Sequence, residues 1–168
     1  MDAQTLRSIQ APLKTKYKEH PETALVTLHA EAKLGPNVTA EVQTKSSTII
    51  AGLHPATGGS GTAACSGDML LEALAACAGV TLNAVATALE IHLRRAIVKA
   101  DGDLDFRGTL GVSKDAPIGF KNIRLNFVLD TDASSEQIAS LVKLTERYCV
   151  VFQTLNTKPE MIVTVSSV

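Results

Sequence analysis

The sequence contains no tryptophan and few other aromatic residues, with only four Phe and two Tyr among 168 residues. Proteins that stack the bases of single-stranded nucleic acid use aromatic platforms, which this composition does not supply. An excess of charge is also missing, because 16 Lys and Arg stand against 17 Asp and Glu and leave a formal net charge of −1. That balance offers no general attraction for nucleic acid or for an anionic membrane. We therefore expect neither of them as a partner.

Cysteine is scarce as well, and the three cysteines are too few and too scattered for a disulfide-stapled secreted domain. No His or Cys stands at ligand spacing from Cys65 or Cys77, so neither a zinc site nor any other cofactor is expected. The first 14 residues lack the apolar segment of a signal peptide. The longest uncharged stretch, residues 73–89, is slightly short for a membrane span. We therefore predict a cytoplasmic protein with reduced thiols.

The apolar share of 45% is enough for a packed core, and the length suits a single domain over residues 1–168. Residues 1–22 are polar and mildly basic, and Pro12 divides them, which predicts an irregular or partly helical arm. Two segments of alternating apolar and polar residues then predict a β-hairpin, at residues 24–34 and 38–50 with a turn at 35–37. A Gly-rich loop follows at residues 51–67.

A long helix is predicted over residues 68–91, capped by Ser66 or Asp68. Apolar residues cover nearly all of its faces, so we expect it to be buried on most sides. Its many Ala and Gly residues allow another backbone to approach closely. Since one thin sheet and one further helix cannot cover it fully, we expect a second chain to do so.

The second half of the chain predicts more strands and a second helix. Bends are expected at Asp101-Gly102 and Arg107-Gly108, and Ser134 or Ser135 is the expected helix cap. The segments are strands at 96–112, 123–130 and 161–168, and a helix at about 135–156. The order of these elements defines an α+β fold.

Cys77 and Cys149 fall in the two predicted helices. A free cysteine is usually buried and acts as a small hydrophobic residue, which is one interpretation of both. In the other interpretation, one is a thiolate nucleophile and the other its disulfide partner. That chemistry requires their Cα atoms to lie within about 7 Å. The residues alone leave both interpretations open.

Two segments carry a resemblance to a known family. The helix GDMLLEALAACAGVTL after a Gly-rich loop resembles the central helix of the OsmC/Ohr family, and ERYCVVFQTL resembles its second, cysteine-bearing helix with the pattern C-P-V. The order of elements is similar over residues 24–168. The resemblance implies antiparallel sheets, a long buried central helix and an intertwined homodimer with sites at the subunit interface.

The resemblance also implies a thiol-dependent peroxidase that reduces organic hydroperoxides and peroxide. When the roles of the family's two cysteines are carried over to this sequence, Cys77 is the peroxidatic thiol, which becomes a sulfenic acid, and Cys149 is the resolving thiol. An external dithiol, often on a lipoylated protein, then reduces the disulfide. Cys65 belongs to neither motif, and we expect it to stay free.

The groups that activate the thiolate in such peroxidases are a Glu before the central helix and an Arg from the N-terminal half. Gly67 stands where the Glu of the hydroperoxide-resistance pattern lies, whereas Asp68 matches the carboxylate of the OsmC-like branch. Asp68 is therefore a candidate catalytic residue, and a helix cap is its alternative role. On an ideal helix Asp68 faces away from Cys77.

The activating cation stays unassigned at this point. Arg7 is the only arginine before Cys77, and without a nearby cation a buried thiol has a raised pKa. Four residues could substitute for the family's arginine: Arg7, Lys14, Lys16 and Arg147. This leaves two alternatives to the peroxidase, which are a non-catalytic small-molecule binder with an apolar interface pocket and a redox-sensing thiol switch.

Overall fold

Six strands and five α-helices occur within residues 1–167, the part of the chain that this computed structural model describes. The strands are β1 (Ala32–Gly35), β2 (Thr39–Gln43), β3 (Thr48–Gly52), β4 (Ala64–Cys65), β5 (Arg95–Asp103) and β6 (Asn122–Asp130). The helices are α1 (Ala3–Glu19), α2 (Ser66–Ala88), α3 (Phe106–Thr109), α4 (Ser135–Tyr148) and α5 (Val150–Asn156). This arrangement confirms the predicted α+β class.

The strands form two separate sheets. The first has the order β1-β2-β3-β4, in which only the short β3–β4 pair is parallel. The second consists of β5 and β6, paired antiparallel from Arg95 with Asp130 to Asp103 with Asn122. Burial alternates along all of β6, as the sequence pattern predicted. One face of this second sheet packs against α2, and the other faces solvent.

The core lies between α2, the β5–β6 sheet and α4. Its buried residues form two clusters that share the α2 helix: Leu82, Ala86, Ile91 and Leu141 in one, and Leu74, Ala78 and Cys149 in the other. The four α2 members follow one another every four residues and so form a single stripe.

The expectation that α2 is buried on most sides is not met within one chain. Ala73, Ala76 and Val80 are exposed on another face, and Val80 keeps 74% of its surface accessible. The reason is geometric, because the β5–β6 sheet, α4 and α5 cover only part of the helix surface. By length and composition alone α2 could cross a membrane, but the core helix of a soluble protein passes the same test.

The predicted cap of α2 was wrong. The helix begins two residues earlier than expected, at Ser66, and its N-cap is Cys65, which makes no side-chain capping bond. At α4 the prediction was right, because Ser134 caps the helix in a capping box with Gln137.

The N-terminal arm is more regular than predicted. Asp2 caps α1 by accepting a hydrogen bond from the N–H of Thr5 at 2.7 Å, and the helix runs through Pro12 without a break. A proline inside a helix removes one backbone hydrogen bond. The cap and the burial of Ala3 against α2 offset that loss, so the helix continues to Glu19.

The predicted hairpin is present but shorter and split. In the segment 24–34 only the part from Ala32 onward forms a strand, and residues 25–30 have no strand partner among residues 1–167. The segment 38–50 is divided by a turn, because Thr44 Oγ1 accepts a hydrogen bond from the N–H of Ser47 at 2.9 Å.

Further along, three expectations were also wrong. The β5 strand runs straight through Asp101-Gly102, where a Cβ on Gly102 would lie 2.4 Å from the Phe120 ring, so this glycine serves close packing and not a bend. The strand expected up to residue 112 ends at Asp103 and is followed by α3. No strand forms over residues 161–167, and Val168 lies outside the described residues.

Candidate active site

Cys77 lies in the middle of α2 and is half-buried. It packs against the cluster of Leu74, Ala78 and Cys149, next to the side chains of Val151 and Phe152. The structure therefore brings Cys77 and Cys149 into contact, although 72 residues separate them in the sequence. Burial on one side and access on the other suit a thiol that reacts with a small molecule.

Cys149 occupies the junction between α4 and α5, so the single helix predicted over 135–156 is in fact two. Its backbone is extended (φ −73°, ψ 108°), and its side chain is completely buried. The family pattern places a proline directly after this cysteine, whereas Val150 stands there in this chain. The break therefore forms without the residue that usually causes one.

Hydrogen bonds around Cys149 stabilise this break. In a continuous helix, the carbonyl of Glu146 would accept the N–H of Val150. Here the side-chain amide of Gln153 donates to the Glu146 carbonyl instead, at 2.8 Å. The break also frees the N–H groups of Val150 and Val151 from the hydrogen-bonding pattern of α4, and both lie close enough to Cys77 to favour its thiolate.

The two thiols have pKa values shifted in opposite directions. Burial raises the pKa of Cys77, but the backbone N–H of Val151, the Cys149 thiol, the N–H of Val150 and the Thr81 hydroxyl outweigh it and lower the pKa below its ordinary value. Burial is the largest cause that raises the pKa of Cys149, and the neighbouring Cys77 raises it further. Cys77 is thus the thiol that ionises first, and Cys149 keeps its proton.

Sequence reasoning missed Thr81 and Gln153. Thr81 stands four residues after Cys77, and this spacing places the two on the same side of a helix, so it was a usable signal. No local pattern points to Gln153, because its role depends on a helix break that the sequence did not predict.

None of the cations considered from the sequence is among the groups that shift the pKa of Cys77. Burial raises its pKa, and the groups that lower it are two backbone amides, a thiol and a hydroxyl. Arg147, two residues before Cys149, is exposed and stacks over the ring of Tyr148, 5.4 Å from its centre. Arg7, Lys14 and Lys16 lie on α1 and are exposed.

Asp68 lies apart from the cysteine pair. It is exposed in the first turn of α2, nine residues or about 13 Å along the helix axis from Cys77. There it borders a separate cavity of about 360 Å³ with Cys65 and His54. This placement gives no support to a catalytic role for Asp68, and it also separates Cys65 from the other two cysteines.

Comparison with known proteins identifies the family. A family model described as OsmC-like protein matches residues 59–164, well over half of the chain, and the chain therefore belongs to the OsmC family. No curated protein matches the chain significantly.

Solved structures share the fold at low sequence identity. An OsmC-like protein from Mycoplasma pneumoniae is 19% identical with a TM-score of 0.67, and the match covers 79% of this chain and 89% of that one. An organic hydroperoxide resistance protein OsmC from Legionella pneumophila is 20% identical with a TM-score of 0.61, covering 78% and 90%. A third, an organic hydroperoxide resistance protein from Elizabethkingia anophelis, is 15% identical with a TM-score of 0.60, covering 80% and 91%. These likenesses establish the fold.

Proposed function

We propose that this protein is a thiol-dependent peroxidase that reduces organic hydroperoxides, with Cys77 as the peroxidatic thiol and Cys149 as the resolving thiol. The observation that supports this most strongly is geometric: the partly exposed Cys77 and the completely buried Cys149 pack in one cluster, although 72 residues separate them in the sequence. Two of the solved structures with this fold are named organic hydroperoxide resistance proteins, which agrees with the proposal.

In the first step, the Cys77 thiolate attacks the outer oxygen of the hydroperoxide. The O–O bond breaks as the S–O bond forms, and the alkoxide that leaves takes up a proton to become an alcohol. The sulfur is oxidised to a sulfenic acid and the peroxide is reduced. The amides of Val150 and Val151 and the Thr81 hydroxyl favour the thiolate before this step.

In the second step, Cys149 resolves the sulfenic acid. Its sulfur attacks the sulfur of Cys77, an S–S bond forms, and the hydroxyl of the sulfenic acid leaves as water with the proton of the Cys149 thiol. An external dithiol, of the kind carried by a lipoylated protein, then exchanges with this disulfide and returns both cysteines to the thiol form. A cytoplasmic location, where thiols are kept reduced, suits this cycle.

A homodimer is part of the proposal. Residues 25–30 and 161–167 have no strand partner in the described part of the chain, and both segments carry exposed apolar residues, including Leu28 at 87% and Val165 at 92% exposure. The face of α2 that contains Ala73, Ala76 and Val80 is exposed to solvent as well. Apolar surface on this scale is typical of a protein interface.

We expect light scattering at micromolar concentration to give twice the 17.7 kDa mass of one chain. The strand-like segments and the α2 face would then be covered by the second copy. A mass of one chain at these concentrations would contradict the dimer, while the contact between Cys77 and Cys149 within one chain would be unaffected.

A second candidate function is a non-catalytic binder of small apolar molecules. The specific observation in its favour is an apolar groove beside α2, together with the lack of a cation among the groups that set the pKa of Cys77. In this alternative, the two cysteines only pack in the core, and the wild-type protein consumes no peroxide.

The proposed chemistry is tested by mapping disulfides after treatment with one equivalent of cumene hydroperoxide. We expect peptides linked through Cys77 and Cys149 of the same chain, because these two side chains pack in one cluster. Cys65 should remain alkylatable, since it borders a separate cavity. A principal disulfide that contains Cys65 would refute the assignment of roles.

The pKa shifts predict how alkylation depends on pH. Only the thiolate reacts with iodoacetamide, so the rate at Cys77 should rise with pH and reach half its maximum below the ordinary thiol value of 9.0. Cys149 should react only above that value, because its pKa is raised. Measured by mass spectrometry in the Cys65→Ser protein, a midpoint for Cys77 at or above 9.0 would favour the binder.

A further inference from the structure

The break between α4 and α5 lacks the residue that would make it permanent. Proline has no N–H and cannot continue a helix, whereas Val150 has an N–H and could donate it to the Glu146 carbonyl. A continuous helix through Cys149 is therefore open to this chain. Because the backbone of Cys149 is nevertheless extended, with ψ 108°, a contact elsewhere must favour the broken form.

Gln153 supplies that contact. Its side-chain amide donates to the Glu146 carbonyl at 2.8 Å, and within residues 1–167 this is the one side-chain hydrogen bond that joins α4 to α5. The same carbonyl is the acceptor that the Val150 N–H would need in a continuous helix. Gln153 therefore competes with Val150 for one acceptor and stabilises the break.

The break matters for Cys77 because the first turn of α5 packs against it. Val151 lies in the buried cluster that contains Cys77. The backbone N–H groups of Val150 and Val151 lie close enough to Cys77 to favour its thiolate. In a continuous helix, both groups would donate to carbonyls of α4 instead. Cys77 would then lose two hydrogen-bond donors.

The side chains packed around Cys77 are apolar, apart from the Cys149 thiol and the Thr81 hydroxyl. The β5–β6 sheet contributes Val98, Ala100, Ile123, Leu125 and Phe127. Four charged residues on the surrounding helices are exposed to solvent: Lys14, Glu72, Glu146 and Arg147. The amides freed by the break are therefore the donors that a change in the backbone can add or remove.

We propose that Gln153 is a positioning residue for Cys77, because its amide holds the break open and so keeps the N–H groups of Val150 and Val151 beside the Cys77 sulfur. This inference deepens the proposed function and rests on it, since it concerns the thiol that the peroxidase uses. Its test contains no peroxide. A protein that consumes no hydroperoxide would refute the enzyme, while the reactivity of Cys77 would still show whether Gln153 has this role.

The pH dependence of Cys77 alkylation by iodoacetamide tests this role in the reduced Cys65→Ser protein. Gln153→Met removes the donor and keeps the length of the side chain. We expect the rate near neutral pH to fall about two- to tenfold and the midpoint of the pH profile to rise, since one hydrogen bond contributes an effect of that size. The matched control is Asn156→Met, which removes an exposed amide of α5 away from the break and should change neither.

Val150→Pro tests whether Gln153 acts through the break. Proline at the first position of α5 forbids the continuous helix, and the extended backbone of Cys149 is compatible with a following proline. In this background the break no longer depends on the amide. Gln153→Met should therefore shift the midpoint much less than it does when Val150 is present.

Gln153→Asn is a second variant that keeps the amide but shortens the side chain by one carbon, so that it no longer reaches the Glu146 carbonyl. It should raise the midpoint as Gln153→Met does. An unchanged midpoint in both Gln153 variants would overturn the proposal. Equal changes in Gln153→Met and Asn156→Met would overturn it as well, and so would a full effect of Gln153→Met in the Val150→Pro background.

Discussion

Replacement of Cys77 by serine is expected to abolish hydroperoxide consumption, by at least about 10³-fold. The reason is that only a thiolate can attack the O–O bond here, and the loss of a nucleophile costs more than the loss of any other single group. Consumption of cumene hydroperoxide with dithiothreitol measures the effect. Serine is close to cysteine in size and Cys77 is only half-buried, so the fold should be retained.

The matched control is Cys65→Ser, which removes a thiol from a separate cavity and should leave the rate unchanged. Equal loss in both variants would indicate a general effect on folding and not a role in chemistry. Full activity in Cys77→Ser would place the reaction elsewhere and contradict the assignment.

Replacement of Cys149 by serine should stop the reaction after one turnover. Cys77 can still attack the peroxide, but the sulfenic acid then has no neighbouring thiol to condense with. Without added reductant, we expect one equivalent of hydroperoxide to be consumed. Dimedone should then form an adduct on Cys77, detected by mass spectrometry.

Because Cys149 is completely buried, a serine hydroxyl at this position could lose a hydrogen-bond partner and destabilise the protein by about 1–3 kcal/mol. Cys149→Ala avoids that cost and should give the same single turnover. Sustained turnover by either variant with dihydrolipoamide, without any dimedone adduct, would show that Cys149 does not resolve the intermediate.

Local patterns predicted the parts of the fold in which one chain segment determines its own structure. The alternation along β6 and the capping box at Ser134 are examples, because the side chains involved are close in sequence. The patterns failed where contacts between residues distant in the sequence determine the local structure. The helix α1 continues through Pro12 because it is capped and packs on α2. A short stretch of sequence around Pro12 does not show that this packing offsets the lost backbone hydrogen bond.

The candidate site shows the same limit. Spacing alone could not bring Cys77 and Cys149 together, and only the resemblance to the OsmC/Ohr family predicted the pair. The helix break at Cys149 was missed since Val150 replaces the expected proline. The resemblance also implied an activating cation, whereas the groups that lower the pKa of Cys77 include backbone amides, which any residue except proline supplies.

These amides explain why the absent arginine does not by itself exclude a reactive thiol. Hydrogen bonds to the charged form lower a pKa as an opposite charge does. The break between α4 and α5 supplies two such donors, and Gln153 compensates the carbonyl that the break exposes. The peroxidase proposal therefore rests on how the backbone is arranged around Cys77.

The most direct test of the peroxidase proposal is consumption of cumene hydroperoxide by the wild-type protein, followed with dithiothreitol and, separately, with dihydrolipoamide. We predict sustained consumption of many equivalents per chain with at least one of these dithiols, because the Cys77–Cys149 disulfide can be reduced and the cycle repeated. Consumption no faster than the protein-free background with both dithiols would contradict the enzyme and leave the binder as the better account.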